Sequence, residues 1–398
     1  MLAVDLKKQR IIPALMMVAY TMYATLTFYV IDEMLLSYLN LAVSLLCTLV
    51  ASYLIVRKKS ICNLDLLYLL FFFLITAVTI VNGLDFKNWI FNSTNLLIPL
   101  FLFGYYKENP KPLLIGAAIG FSIAIYIGAA QIITHPDMWI LEDSKENKGY
   151  LLGGNYNQVG CRLIVGILTN IVCLKISRWF SINVFLLCAI SLAILLMVQS
   201  MTSLSCIIMF LLVSICPNIN LQRLIIWSLL IFAILFEVFV CFSGKGLENN
   251  EFATWIIVEV LGKDITFTNR TDMWDSAMRV IAESPIWGWG NPNEEWYVRH
   301  MSSHAIGAHN LILTILIYGG IMALALYISM FVMSLRKLFR SNGRMVNCVF
   351  ASITMVSFMM LMEVYPTNCF MFLFIIAYYY NALFEPSTNK LTEERINI

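Results

Sequence analysis

His309 and Asn310 stand side by side in SSHAIGAHNLILTILIYGG, directly ahead of a long apolar run. A segment bound for lipid has no packing need for such a pair. A neutral imidazole can take a proton from a hydroxyl, and an asparagine amide can donate to a sugar or phosphate oxygen. A helix beginning at this point would also present unpaired N–H groups and a partial positive charge, both of which favour anions.

Further charged residues lie at the edges of other apolar runs. Arg162 follows GGNYNQVG at the start of one, where an arginine needs an anionic partner or a wet cavity. Glu363 ends another, in MLMEVYPTN. Arg270 and Arg279 fall in the hydrophilic stretch NRTDMWDSAMRVIAESPIWGWG. Together, Arg162, Arg270, His309 and Glu363 would make a cationic pocket with one carboxylate, suited to a diphosphate that arginine grips bidentately. Asn310 and Arg279 are further candidates for substrate contact.

Each residue also has a plainer reading. Arg162 and Glu363 serve equally well as a structural ion pair. Arg270 alone reads as a solvated loop residue, His309 alone as an interfacial histidine, and Arg279 as a headgroup or solvent contact. His300 and His304 have no metal-ligand pattern around them.

The elements that must position these residues are membrane helices. Of the 398 residues 60% are hydrophobic and only 13% charged, which excludes an ordinary water-soluble domain. The apolar blocks run for about 18 to 23 residues, the length a helix needs to cross about 30 Å of hydrocarbon. Spans must be helical because lipid offers the backbone no partners. The expected fold is all-α, a single transmembrane domain over 1–398 with about twelve spans. The expected cores are 11–31, 34–56, 64–83, 89–106, 112–134, 156–176, 180–198, 202–216, 223–243, 309–335, 345–364 and 367–384. The seventh and eighth meet at Gln199-Ser200-Met201-Thr202, which demands a tight turn.

Basic residues cluster in alternate connections, in KKQR, RKK, KENPK, KISR, LQR, RKLFRSNGR and the tail with Lys390 and Arg395. The positive-inside rule makes these cytoplasmic, with both termini, and makes the loops 135–154 and 244–308 exported. Within the larger loop, between the ninth and tenth spans, a short interfacial helix is expected over about 269–283. Thr268 or Asn269 would cap it, Asp272 suits its first turn, and Ser284-Pro285 stops it. Met273, Ala277, Val280 and Ile281 share one face. The WGWG that follows joins interfacial tryptophans to glycines that permit a sharp turn. The first block lacks a cleavage site and reads as a retained span.

A net charge of +2 gives no concentrated basic face for nucleic acid. The ten cysteines include no CxxC pair, which argues against a disulfide scaffold or a zinc site. Asp32-Glu33 is the one early acidic pair, in a turn too short for a metal-dependent glycosyltransferase loop. A transporter or flippase of lipid-linked oligosaccharides would spread buried charges through the bundle, whereas here they gather toward one face.

The combination resembles the O-antigen ligase and O-antigen polymerase superfamily of bacterial surface glycan enzymes. NRTDMWDSAMRVIAESPIWGWG is similar to that family's Arg-x-x-x-Trp helix and Ser-Pro-x-x-Gly-x-Gly turn. AHNLILTILIYGGIMA is similar to its His-Asn start of a span with a later glycine pair, and GGNYNQVG resembles a further feature. One departure is VQSMTSLS at the eighth span, where many members carry an arginine; Arg162 would supply that charge. The resemblance implies metal- and cofactor-independent glycosyl transfer from an undecaprenyl-diphosphate-linked glycan at the outer face of the bacterial cytoplasmic membrane. It implies polymerisation of O-antigen or capsular repeat units, or ligation of a finished glycan to lipid A core or a wall acceptor. In that scheme Arg270 binds diphosphate, His309 acts as base or orients the acceptor hydroxyl, and Asn310 supports it. Membrane lipids, a chain-length regulator and a flippase are the implied partners.

Overall fold

The computed structural model describes residues 2–27, 33–58, 61–135, 139–140, 148–154, 156–242, 270–302, 307–364 and 367–384. Thr268, Asn269, Asp32, His304, Lys390 and Arg395 lie outside the described residues, as does the first part of the larger loop. The described chain is all-α, apart from a two-residue antiparallel ladder pairing 139–140 with 148–149.

The helices in chain order are α1 (Leu2–Thr25), α2 (Glu33–Lys58), α3 (Asn63–Val81), α4 (Lys87–Thr94), α5 (Leu97–Tyr105), α6 (Lys111–Thr134), α7 (Val159–Cys173), α8 (Phe180–Met197), α9 (Met201–Ile215) and α10 (Ile219–Phe236). A π-helical turn, Glu237–Cys241, extends α10. Then follow α11 (Arg270–Glu283), α12 (Glu294–His300), α13 (Leu311–Leu338), α14 (Arg344–Met359) and α15 (Thr367–Phe384).

Six of the described helices are long and apolar enough to cross a membrane: Met34–Arg57, Asn63–Val81, Lys111–Thr134, Phe180–Met197, Ile219–Cys241 and Leu311–Leu338. Five shorter apolar helices accompany them. The block at 89–106 departs from the expected single span, because α4 ends at Thr94 and α5 starts at Leu97. Pro99 explains the break: it has no N–H to offer the Asn95 carbonyl, and its ring crowds that oxygen.

Every residue of α7 is buried, as befits a helix that is largely apolar all round. α6, α8, α9, α14 and α15 surround it. Outward-facing leucines, isoleucines and phenylalanines on α2, α8 and α10 remain exposed, as a lipid-facing surface requires. The α8–α9 turn is tight, with Gln199 in the left-handed region at φ 55°.

The decisive irregularity is in α13. Gly319 (φ −148°) and Gly320 (φ 59°) leave helical geometry, so the backbone hydrogen bonds across them are lost. The segment after α11 replaces them. Trp289 N donates to Ile317 O at 2.7 Å and Gly290 N to Tyr318 O at 2.9 Å. In return Ile321 N donates to Pro285 O at 2.9 Å. The WGWG segment is thus a plug in a broken helix. Trp289 is half-buried and donates from its indole to Val280 O, whereas Trp287 is exposed. Glycine is required at 320 because a Cβ there would strike the Ile286 carbonyl, and at 288 because one would lie 2.6 Å from Ile317 O.

Candidate active site

The helix α13 begins at Leu311, two residues later than the expected span core. Asn310 is extended (φ −151°, ψ 132°) and is the N-cap, its side chain accepting from Leu313 N at 2.9 Å. His309 therefore precedes the helix instead of lying in its first turn, and it adopts φ 47°. A side chain held in this region is strained, and the surrounding contacts must fix it there.

Those contacts converge on Glu363, which follows α14 and is 7% exposed. Its Oε1 lies 3.1 Å from His309 Nδ1, and its Oε2 lies 3.7 Å from Arg270 Nη2 at the start of α11. Asn157 Nδ2 donates to the same Oε2 at 3.3 Å. Burial alone pushes the Glu363 carboxyl up, but the His309 hydrogen bond, the charges of His309 and Arg270 and the Val364 N–H more than offset it. The net direction is down, so Glu363 is held as a carboxylate.

In the neutral imidazole, Nδ1–H donates to Glu363, which leaves Nε2 as the acceptor. The Arg270 contact is longer than a hydrogen bond. Among the described residues its guanidinium makes none.

The remaining sequence candidates occupy different places. Asn310 is fully buried, with Nδ2 donating to Glu237 Oε2 at 2.8 Å and to Leu361 O at 3.2 Å. Its amide is engaged by protein groups on both sides, as a helix cap and as a strut. Arg162 is buried and reaches back to its own preceding loop, to Gly153 O at 3.4 Å and Gln158 O at 3.3 Å. It forms no described ion pair with Glu363; instead it holds the turn that delivers Asn157 and Gln158 to the site. Ser203 on α9, within the stretch that departs from the family, donates to Asn157 O at 3.4 Å.

Arg279 lies nine residues beyond Arg270 on α11, about half a turn away in projection, and is exposed, bonded to Ser276 Oγ at 2.8 Å. It faces away from Glu363. α11 itself buries Trp274, Ala277, Val280 and Ile281 against α13 and its neighbours, with Met273 only partly covered. His300 stacks on Trp296 with ring centroids 4.3 Å apart and its Nδ1 against Trp296 O.

His309 and Glu363 line a cavity of about 590 Å³, within the range of small-molecule sites. Arg270 and Arg162 are not in its lining. The cavity walls carry Glu294 and Glu295 besides Glu363, together with Asn92, Gln158 and Asn293. Amides and carboxylates of this kind suit sugar hydroxyls better than a bare diphosphate. Tyr297 adds a phenol that burial pushes well up, so it faces the cavity neutral.

A second cleft of about 470 Å³ lies beside the first, between α10, α13 and α14. Its walls are almost wholly apolar, with Leu230, Ile234, Leu311, Tyr327 and Phe331 among them and Glu237 as its one carboxylate. Glu237 and Leu311 face this cleft while His309 faces the polar one, and Asn310 ties the two sides together. Sequence reasoning passed over Glu237, although an acid inside LIFAILFEVFVCF is itself a signal. The π-helical turn that begins at Glu237 is a second one.

A comparison with curated proteins finds no match. A model of the O-antigen ligase family matches residues 184–328, a stretch from α8 to the middle of α13 that includes Glu237, Arg270, His309 and Asn310. The chain is a multi-pass helical membrane protein, and over residues 184–328 it is similar to the O-antigen ligase family.

Proposed function

We propose that the protein transfers a glycan from undecaprenyl diphosphate to a sugar hydroxyl at the outer face of the cytoplasmic membrane, acting as a polymerase of lipid-linked repeat units. The observation that carries this reading is the convergence of Arg270 and His309 on the single carboxylate of Glu363, beside a cavity lined with sugar-binding groups. The apolar cleft between α10, α13 and α14 supports it by offering room for an isoprenoid next to that cavity.

In the proposed reaction the acceptor hydroxyl oxygen attacks the anomeric carbon while the bond from that carbon to the diphosphate oxygen breaks. The hydroxyl proton passes to His309 Nε2, and Glu363 stabilises the imidazolium that results. The electron pair leaves with the diphosphate, whose growing charge is met by the guanidinium of Arg270. Asn310 and Arg162 act at one remove, by fixing the α13 terminus and the loop of Asn157 and Gln158.

The description of the matched family favours a second reading, ligation of a finished glycan to a different acceptor. Incubating the purified protein with defined lipid-linked units separates the two. A ladder of product lengths supports polymerisation. Single transfer, seen only when another acceptor is added, supports ligation, and no transfer to either rejects both.

A further inference from the structure

The end of α13 farthest from His309 carries a second constellation. Arg336 and Lys337 in its last turn and Arg340 just beyond line a cavity of about 500 Å³, closed by Asn63 of α3 and Tyr378 of α15. Among the described residues none of the three cations forms an ion pair, and Arg336 and Arg340 are exposed. Lys337 Nζ rests 5.3 Å from the Tyr378 ring centroid, half-buried. The adjoining acid, Asp65, is buried and accepts from Cys62 N at 3.1 Å.

Charge alone at a helix C-terminus would need no further explanation, since it complements the dipole. The cavity's other wall does. Val332 and Ile328, about one and two turns before Arg336 on the same face, line both this cavity and the apolar cleft beside α10. A mouth lined by three cations is therefore continuous, through Ile328 and Val332, with the apolar cleft along the helix. Free phosphate needs only the first part; a phospholipid needs both.

We propose that this is a binding site for an anionic glycerophospholipid of the cytoplasmic leaflet. Its phosphate is held by Arg336, Lys337 and Arg340, and an acyl chain lies against Ile328 and Val332. The three cations are not among the residues assigned to the transfer reaction, whereas Ile328 and Val332 are shared with the apolar cleft. Arginine forks suit a phosphodiester, and the positive-inside rule places the three cations at the leaflet whose surface is negative.

The test uses the full chain in native mass spectrometry and nanodiscs, with phosphatidylglycerol and phosphatidylcholine of identical acyl chains as probes. Phosphatidylglycerol is expected to be retained preferentially. Each charge removed should weaken retention about fivefold, so Arg336→Gln/Lys337→Gln/Arg340→Gln together should cost about 100-fold, with the thermal midpoint unchanged. Val332→Trp, which fills the groove and leaves the cations intact, should also reduce retention. Equal retention of the two lipids, or undiminished retention in the triple variant, overturns the proposal. So does displacement of phosphatidylglycerol by millimolar inorganic phosphate, which would mark a free-anion site.

Discussion

Replacing Glu363 by glutamine tests the hub of the site with the least change of shape. The amide oxygen can still accept from His309 Nδ1, so the ring stays oriented, but the charge that supports an imidazolium is gone. At 3.1 Å and an effective dielectric of ~20, a full charge pair is worth about 5 kcal/mol before screening. The imidazole is 19% exposed, so a discount to about 3 kcal/mol is appropriate, which corresponds to a fall of about 10²-fold in turnover. Single-turnover transfer from a radiolabelled lipid-linked donor, in proteoliposomes, reads this directly. The pH dependence gives a second readout. Because the folded-state pKa of Glu363 is lowered, its stabilisation is present above the ordinary carboxylate range and is lost as pH falls through the folded value. The wild type should therefore lose stability on acidification along a limb that Glu363→Gln lacks. Turnover within about threefold of wild type, with the acid limb retained, would refute the reasoning.

Arg270→Ala should lower transfer by about 10²- to 10³-fold, whereas Arg279→Ala, on the opposite face of α11, should leave it unchanged; equal effects in the same assay would contradict this geometry. Asn310→Ala removes a helix cap and strands Glu237 in apolar surroundings, so a loss of about 2–4 kcal/mol is expected, read as a lower thermal midpoint in detergent. Gly320→Ala forces a Cβ into the Ile286 carbonyl at a positive φ, and should abolish the monodisperse species on size-exclusion chromatography.

The helical class is legible in the sequence because lipid imposes length and apolarity on each span, and the Arg270 helix because its apolar residues recur at helical spacing. The division of 89–106 into α4 and α5 is legible only in hindsight, through Pro99. The role of WGWG is not, because periodicity cannot show that Gly319 and Gly320 open a gap that this segment fills. Arg162, at the edge of an apolar run, and Arg270, in a hydrophilic loop, carry the same charge, yet one holds backbone carbonyls and the other a carboxylate. Only the folded path of the 153–158 turn decides between them. Glu237 was visible as an acid within an apolar block, but its tie to Asn310 spans 73 residues and no local pattern encodes it.

The most direct measurement is the rate of glycan transfer in a single turnover by His309→Ala, with donor saturation followed in parallel. With the imidazole acting as base, transfer should fall by about 10²- to 10⁴-fold while the donor concentration needed for saturation stays near that of the wild type. Transfer at the wild-type rate, by a variant that still binds donor, would contradict the assignment of proton removal to His309.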